Sequence, residues 1–151
     1  MNSRFFLDTS AFLKLYHEEV GTAQMDEIFR QPENVLLISE LTVVELHSSL
    51  ARKVRTKEIS PTAQAEALKN FGEDCTQRFI VEPLHSLVIQ NAKKLLLTYG
   101  NTKALRSLDA LQLGAFLTAQ AREALTFVCA DERLVDVARV AGLQTLNPEY
   151  P

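Results

Sequence analysis

The sequence is poor in cysteine, and this shortage excludes a disulfide-rich architecture. Only Cys75 and Cys129 occur among the 151 residues, and they do not form a CxxC pair. Two isolated cysteines cannot build the framework that holds a small secreted domain together. We therefore expect both thiols to stay reduced and to pack as small apolar groups.

Long hydrophobic runs are also lacking. The longest, such as VLLI and TVVEL, are far too short to span a bilayer. The N-terminal stretch MNSRFFLDTS does not resemble a signal peptide, because it has no long apolar segment followed by small residues. We therefore expect a cytoplasmic protein that does not contact a membrane.

Positive charge is not in excess. The chain has 16 Lys and Arg against 19 Asp and Glu, which gives a formal net charge of −3. This balance excludes the broad basic surface of a protein that coats nucleic acid. An enzyme that handles nucleic acid through a metal ion and a local basic patch remains compatible with it.

What the sequence does contain is a regular alternation of strand-like and helix-like segments. The strand candidates are RFFLD, VLLIS, RFIVEP and LTFVCA, with LQTLNP as a short final candidate. This order predicts an α/β fold with a central parallel β-sheet of four to five strands, flanked by helices on both faces. The length suits a single domain over residues 1–151.

Some helix boundaries are also predicted by the sequence. SAFLKLYHEE is expected to form one helix directly after the first strand. Ser60 and Pro61 have the pattern of a cap followed by a first-position proline. Gly100 is expected at the C′ position of a long helix, where glycine is favoured.

Acidic residues fall where a parallel sheet would place a functional site. Asp8 follows RFFL and Asp131 follows LTFVCA, so each comes at the carboxyl end of a predicted strand. Sites in open parallel sheets form outside those ends. Asp109 lies near a predicted helix start, and Glu45 lies within the helical segment ELTVVELHSSL.

Each acid taken alone also has a structural interpretation. Asp8 and Asp131 suit helix N-caps, Asp109 suits a first helical turn, and Glu45 suits a solvated helix face. Four carboxylates gathered in one cleft would raise one another's pKa, and a divalent cation would resolve that conflict. With no His or Cys cluster beside them, such oxygen ligands favour Mg²⁺ or Mn²⁺ over zinc.

Four segments carry a family resemblance. FFLDTSAFLKLY, LTVVELHSSL, LRSLDALQL and FVCADERLVDVARVAGL resemble, in order, the four acidic motifs of PIN-domain nucleases. The closest resemblance is to VapC-type toxins of type II toxin–antitoxin systems. It extends from near the N-terminus to about Leu143 and implies a PIN-like fold.

The resemblance implies an activity, a metal and a set of site residues. The expected activity is that of an Mg²⁺-dependent endoribonuclease, the toxin of a VapBC-type pair, with Mn²⁺ as the other candidate ion. A metal-activated water would hydrolyse RNA phosphodiester bonds and leave a 3′-hydroxyl and a 5′-phosphate. The catalytic and metal-binding residues would be Asp8, Glu45, Asp109 and Asp131.

The resemblance also implies supporting residues and partners. Ser10, and with it Thr9, would hydrogen-bond the carboxylates or a phosphate oxygen, and Arg106 is a candidate for RNA contact. The expected partners are an RNA substrate, a cognate VapB-like antitoxin and a second copy of the chain in a homodimer.

Other functions remain open or are disfavoured. Haloacid-dehalogenase-like phosphatases need a second aspartate two residues after the first, where this chain has Ser10. A phospho-receiver domain needs an acidic pair near its first strand, and RFFLDTS has none. Two alternatives stay open: a non-catalytic PIN-like module that binds RNA or protein, and a PIN nuclease with a processing role and no antitoxin.

Overall fold

The computed structural model describes residues 2–151, and a five-stranded parallel sheet lies at its centre. The strands follow the order β3-β2-β1-β4-β5, and every neighbouring pair is parallel. They are β1 (Arg4–Leu7), β2 (Val35–Ser39), β3 (Phe79–Glu82), β4 (Thr126–Val128) and β5 (Thr145–Leu146). The prediction of a parallel sheet of four to five strands is confirmed.

Helices connect the strands and cover both faces of the sheet. They are α1 (Thr9–Phe12), α2 (Thr22–Arg30), α3 (Glu40–Arg55), α4 (Pro61–Gln77), α5 (Ser86–Tyr99), α6 (Ser107–Gln120) and α7 (Glu132–Val140), with a 3₁₀ turn at Leu13–Leu15. Within residues 2–151, no helix combines the length and the apolar composition that crossing a membrane requires.

Two hydrophobic cores lie on opposite faces of the sheet because successive strand residues point in opposite directions. In β1, Phe6 joins a core with α5, α6 and α7, whereas Leu7 joins a core with α1 to α4. The first core contains an aromatic trio with ring centroids 5.1 to 6.3 Å apart, formed by Phe6, Phe116 and Phe127. Both cores fix the strands from which the site residues extend.

The register of β1 and β4 brings their carboxyl ends together. Leu7 is paired with Val128, and the Asp8 backbone N–H donates to the Val128 carbonyl at 2.9 Å. The segments that follow these two strands therefore emerge side by side at one edge of the sheet. This edge, defined by Asp8 and residues 129–131, is called the site edge below.

The helix predicted over SAFLKLYHEE is wrong in its length. Helix α1 ends at Phe12, and a 3₁₀ turn then carries the chain to Leu15. The following residue, Tyr16, is fixed by tertiary contacts, since its hydroxyl donates to Asp74 at 2.7 Å and its ring packs on Phe71. These contacts outweigh the local helical pattern, because packing routinely overrides weak propensity.

One further helix boundary agrees with the sequence, whereas the prediction that Gly100 lies at the C′ position of α5 is wrong, because Gly100 is the C-cap. Ser60 caps α4 by accepting from the Ala63 N–H, and Pro61 is its first residue. Gly100 does end α5, but with a right-handed φ of −61°. Glycine is favoured there for lack of space, because a Cβ would lie 2.5 Å from the Leu96 carbonyl oxygen. A left-handed glycine at the end of a helix occurs instead at Gly142, with φ 78°, directly after Ala141, the C-cap of α7.

Candidate active site

Asp8 lies buried at the end of β1 and caps α1. Its Oδ2 accepts hydrogen bonds from the Ser10 backbone N–H at 3.0 Å and from the Ser10 hydroxyl at 2.6 Å. The pKa of Asp8 is raised to about 6, chiefly by burial and in part by the charge of Glu45, while the Ser10 hydrogen bonds oppose the rise. Asp8 is therefore both a cap and a carboxylate that is costly to ionise without a cation.

Ser10 joins the ends of the two central strands. Its hydroxyl donates to Asp8 and accepts from the Ala130 N–H at 3.0 Å. The thiol of Cys129 lies 3.6 Å from Asp8 Oδ2. Burial, together with the charge of Asp8, raises the pKa of that thiol far above its usual range, so it stays protonated. Neither Cys129 nor Cys75 forms a disulfide, as expected.

Asp131 and Asp109 share a single arginine. Asp131 caps α7 by accepting from the Arg133 N–H at 3.0 Å, and Asp109 lies in the first turn of α6. Arg106 Nε donates to Asp109 Oδ2 at 2.9 Å, and Arg106 Nη2 lies 3.6 Å from Asp131 Oδ2. The hydrogen bond and charge of Asp109, followed by the charges of Asp131 and Glu45, raise the pKa of Arg106.

Glu45 is held from two other elements. Its Oε1 accepts from the Thr9 hydroxyl at 2.8 Å and from the Gln112 side-chain amide at 2.8 Å. That amide nitrogen also lies 2.8 Å from Thr9 Oγ1 and 2.9 Å from Thr42 Oγ1. Neither Gln112 nor Thr42 was predicted from the sequence as a site residue. One signal was present: Gln112 is a polar residue three positions after Asp109, in the otherwise apolar middle part of α6.

The four predicted acids thus lie around the site edge, although within residues 2–151 no three of them come together. Asp8 is influenced by the charge of Glu45, and Arg106 is influenced by the charges of the other three. A cavity of about 410 Å³ opens beside them and is lined by Glu45, Arg106, Ser107, Leu108 and Asp109. A larger cavity of about 710 Å³ lies near the starts of β1, β4 and β5, and none of its lining residues is Asp or Glu.

The donor chemistry of this cluster fits a hard divalent cation, because every candidate ligand is a carboxylate oxygen. In the present side-chain positions, however, the cation beside the acids is Arg106 and not a metal ion. In the part of the chain that the structure describes, no three His, Cys, Asp or Glu side chains are close enough to hold a metal ion. Positive charge comes from arginine instead: Arg106 pairs with Asp109, and both Arg106 and Arg133 lie 3.6 Å from Asp131.

Comparison with known proteins gives a family match and structural similarity. The model of the PIN domain family matches residues 5–140. No curated protein matches the chain. Among solved structures, PAE2754 from Pyrobaculum aerophilum is similar with a TM-score of 0.68 and 20% identity, covering 99% of this chain and 93% of that one.

Two further structures are similar over nearly their whole length. Mycobacterium tuberculosis VapC20, a sarcin–ricin loop cleaving toxin, has a TM-score of 0.65 and 15% identity, covering 92% of this chain and 95% of that one. A chain of DNA-bound VapBC from Salmonella typhimurium has a TM-score of 0.63 and 16% identity, covering 98% and 99%. At these identities the similarity establishes the fold.

Proposed function

Because this chain belongs to the PIN domain family, we propose that it is a divalent-metal-dependent endoribonuclease and the toxin of a VapBC-type pair. The observation that carries this proposal is the arrangement of Asp8, Glu45, Asp109 and Asp131 around one edge of a PIN-like sheet. Structural similarity to VapC20, which cleaves RNA, supports the same function.

The four acids would together hold Mg²⁺ or Mn²⁺. Such an ion supplies an activated water and stabilises charge on a phosphoryl group. Ser10 keeps Asp8 in one orientation and favours its ionised form by hydrogen bonding. With Asp109 and Asp131 engaged in holding the ion, Arg106 would be free to contact a backbone phosphate, where arginine binds well.

An RNA-cleavage assay tests this function directly. Purified protein is incubated with a mixed RNA substrate in Mg²⁺, in Mn²⁺ or in EDTA, and the 5′ ends of the products are mapped. We expect cleavage only with the divalent ion, with 5′-phosphate products, and no cleavage by Asp8→Asn. Equal cleavage in EDTA, or full activity of that variant, would refute the proposed metal-dependent mechanism.

A specific observation favours one alternative, a non-catalytic PIN-like module that binds RNA. Arg106 pairs with Asp109 and lies 3.6 Å from Asp131, so these two carboxylates have a cationic partner without a metal ion. Under this alternative, the folded protein retains RNA but leaves it intact in every metal condition. The same assay, combined with a gel-shift measurement, distinguishes the two functions.

We also propose an antitoxin partner and a homodimer. Similarity to chains of VapBC complexes supports a VapB-like antitoxin, and the family resemblance implies self-association. A small protein encoded beside this chain should copurify with it and suppress its cleavage of RNA. Analytical ultracentrifugation should give a mass near twice that of the 16.9 kDa chain. Cleavage without any such neighbouring protein would favour a processing nuclease instead.

A further inference from the structure

Gln112 is a buried polar residue that connects three separate elements at the site edge. It lies on α6, three residues after Asp109, so both side chains project from the same helix face. Its side chain is almost completely buried, with only 2% of the residue exposed. Through its amide nitrogen it contacts Glu45 and Thr42 of α3 and Thr9 of α1.

The direction of these hydrogen bonds is fixed by Glu45. An ionised carboxylate only accepts hydrogen bonds, so the amide must present its NH₂ group to it. Thr9 donates to the same Oε1 at 2.8 Å. Glu45 Oε1 is therefore held by two donors, whereas Oε2 makes no hydrogen bond to any residue that the structure describes.

Stability alone does not account for glutamine at this position. Its Oε1 is buried and has no hydrogen-bond partner within residues 2–151. An unpaired buried acceptor is costly, and an apolar side chain of similar length would avoid that cost. Glutamine provides a fixed donor to Glu45, which an apolar side chain lacks.

We propose that Gln112 is a positioning residue for Glu45. By holding Oε1, together with Thr9, it leaves Oε2 without a hydrogen bond, so that Oε2 would be the oxygen available to a divalent ion. The inference rests on the proposed metal-dependent function. Residues that orient metal ligands typically affect metal affinity or activity by about 10- to 100-fold when they are replaced.

A matched pair of variants tests this role. Gln112→Met removes the donor while keeping the length of the side chain. Gln120→Met makes the same change in the same helix, where the Oε1 of Gln120 is also buried without a partner. Position 120 lies about 12 Å farther along α6, at 1.5 Å of rise per residue.

The primary measurement is Mn²⁺ affinity by calorimetry without RNA, beside thermal unfolding in EDTA. We expect Gln112→Met to weaken Mn²⁺ binding about tenfold or more, with an unchanged or higher Tm, and to lower kcat with little effect on KM. Gln120→Met should keep wild-type Mn²⁺ affinity. If Gln112→Met instead lowers Tm and keeps wild-type Mn²⁺ affinity, the amide is only structural and the proposal is overturned.

Two further measurements keep the test decisive. In a Glu45→Gln background, Gln112→Met should cause no additional loss of Mn²⁺ affinity, because residues acting through one group are not additive. An additive loss contradicts the proposal. In the wild-type protein, which requires no variant to fold, the side-chain amide NMR signal of Gln112 should shift on adding Mg²⁺, whereas that of Gln120 should not.

The outcome also separates this inference from the proposed function. If the folded wild-type protein binds neither Mn²⁺ nor Mg²⁺, the metal-dependent function and the role of Gln112 both fail. If the wild type binds the ion and cleaves RNA but Gln112→Met behaves identically, only the role of Gln112 fails.

Discussion

The Ser10 hydroxyl donates to Asp8 Oδ2 at 2.6 Å, the shortest of the contacts that hold this buried carboxylate. The same hydroxyl accepts from the Ala130 N–H, so the carboxyl ends of β1 and β4 are joined through one side chain. Since burial raises the pKa of Asp8 to about 6, this bond holds a group whose ionisation opposes folding. The relationship connects the stability of the fold with the charge state of the site.

The first prediction concerns the pH dependence of stability in EDTA. The folded-state pKa of Asp8 is raised from 3.8 to about 6. The stability that its neutral form contributes is therefore fully present below about pH 4. It is lost as pH rises through 6, because ionisation is then easier in the unfolded chain. The corresponding loss in the free energy of unfolding is about 3 kcal/mol, at 1.36 kcal/mol per pKa unit.

Asp8→Asn should abolish this loss, because asparagine stays neutral and still caps a helix. Urea unfolding at pH 4.5 and pH 7 gives the free energy of unfolding of the variant and of the wild type. The effects of the other carboxylates cancel in the difference between the two proteins. We expect the variant to be the more stable protein at pH 7. Adding Mg²⁺ should restore the wild type only, because ligand binding stabilises the folded state. A variant less stable than the wild type at pH 7 would contradict this account of Asp8.

The second prediction concerns Ser10→Ala. This change removes a donor from the Asp8 carboxylate and an acceptor from the Ala130 N–H. A hydrogen bond to a charged group contributes about 1.5–3 kcal/mol, so the free energy of unfolding should fall by that amount at neutral pH. Mn²⁺ binding should also require a higher pH, because the lost bond had lowered the pKa of Asp8.

Ser86→Ala is a suitable control for that measurement, since Ser86 is exposed in the first turn of α5. It should change neither the stability nor the pH dependence of Mn²⁺ binding. If Ser10→Ala matches this control in both measurements, the hydrogen bond to Asp8 has no energetic role.

The third prediction concerns Arg106→Gln. In the structure Arg106 pairs with Asp109 and lies near Asp131, so it competes with any cation that binds them. Arg106 is largely exposed, and exposed ion pairs are worth about 0.2–1 kcal/mol. Mn²⁺ affinity measured without RNA should therefore rise by about 1.4-fold to fivefold, while the KM for RNA should increase because the proposed phosphate contact is lost.

Arg139→Gln provides the control for Arg106, since Arg139 bonds to Thr145 and contacts none of the four acids. It should leave Mn²⁺ affinity at the wild-type level. Weaker Mn²⁺ binding by Arg106→Gln would indicate that Arg106 organises the acids rather than competing for them.

Much of the fold was predictable because its signals are local in sequence. The strands are short, mainly apolar runs. Asp8 directly follows β1 and Asp131 comes three residues after the end of β4, so the parallel sheet and its site edge followed from the pattern. The PIN-domain resemblance, confirmed by the family match over residues 5–140, was carried by the same segments. The length of α1 was not predictable, because Tyr16 is fixed by Asp74, 58 residues away.

The connections within the site were harder to predict because most of them join residues that are far apart in the sequence. Arg106 and Asp109 are three residues apart on one helix, a spacing at which ion pairs are expected. Gln112 contacts Glu45 across 67 residues and Thr9 across 103 residues. No local periodicity encodes such a meeting, and only the packing of α6 against α1 and α3 brings the three side chains together.

The last prediction separates the capping role of Asp131 from its role in the site. Asp131→Asn keeps a good N-cap for α7, so the Tm should remain within a few degrees of the wild type. RNA cleavage should fall by roughly 100-fold or more, because even residues that merely orient metal ligands cost about 10- to 100-fold. Asp136→Asn is the matched control, since Asp136 lies on the same helix, is exposed and pairs with Lys103. Retention of cleavage by Asp131→Asn at the level of Asp136→Asn would assign Asp131 to capping alone and reduce the metal-binding set to the other three acids.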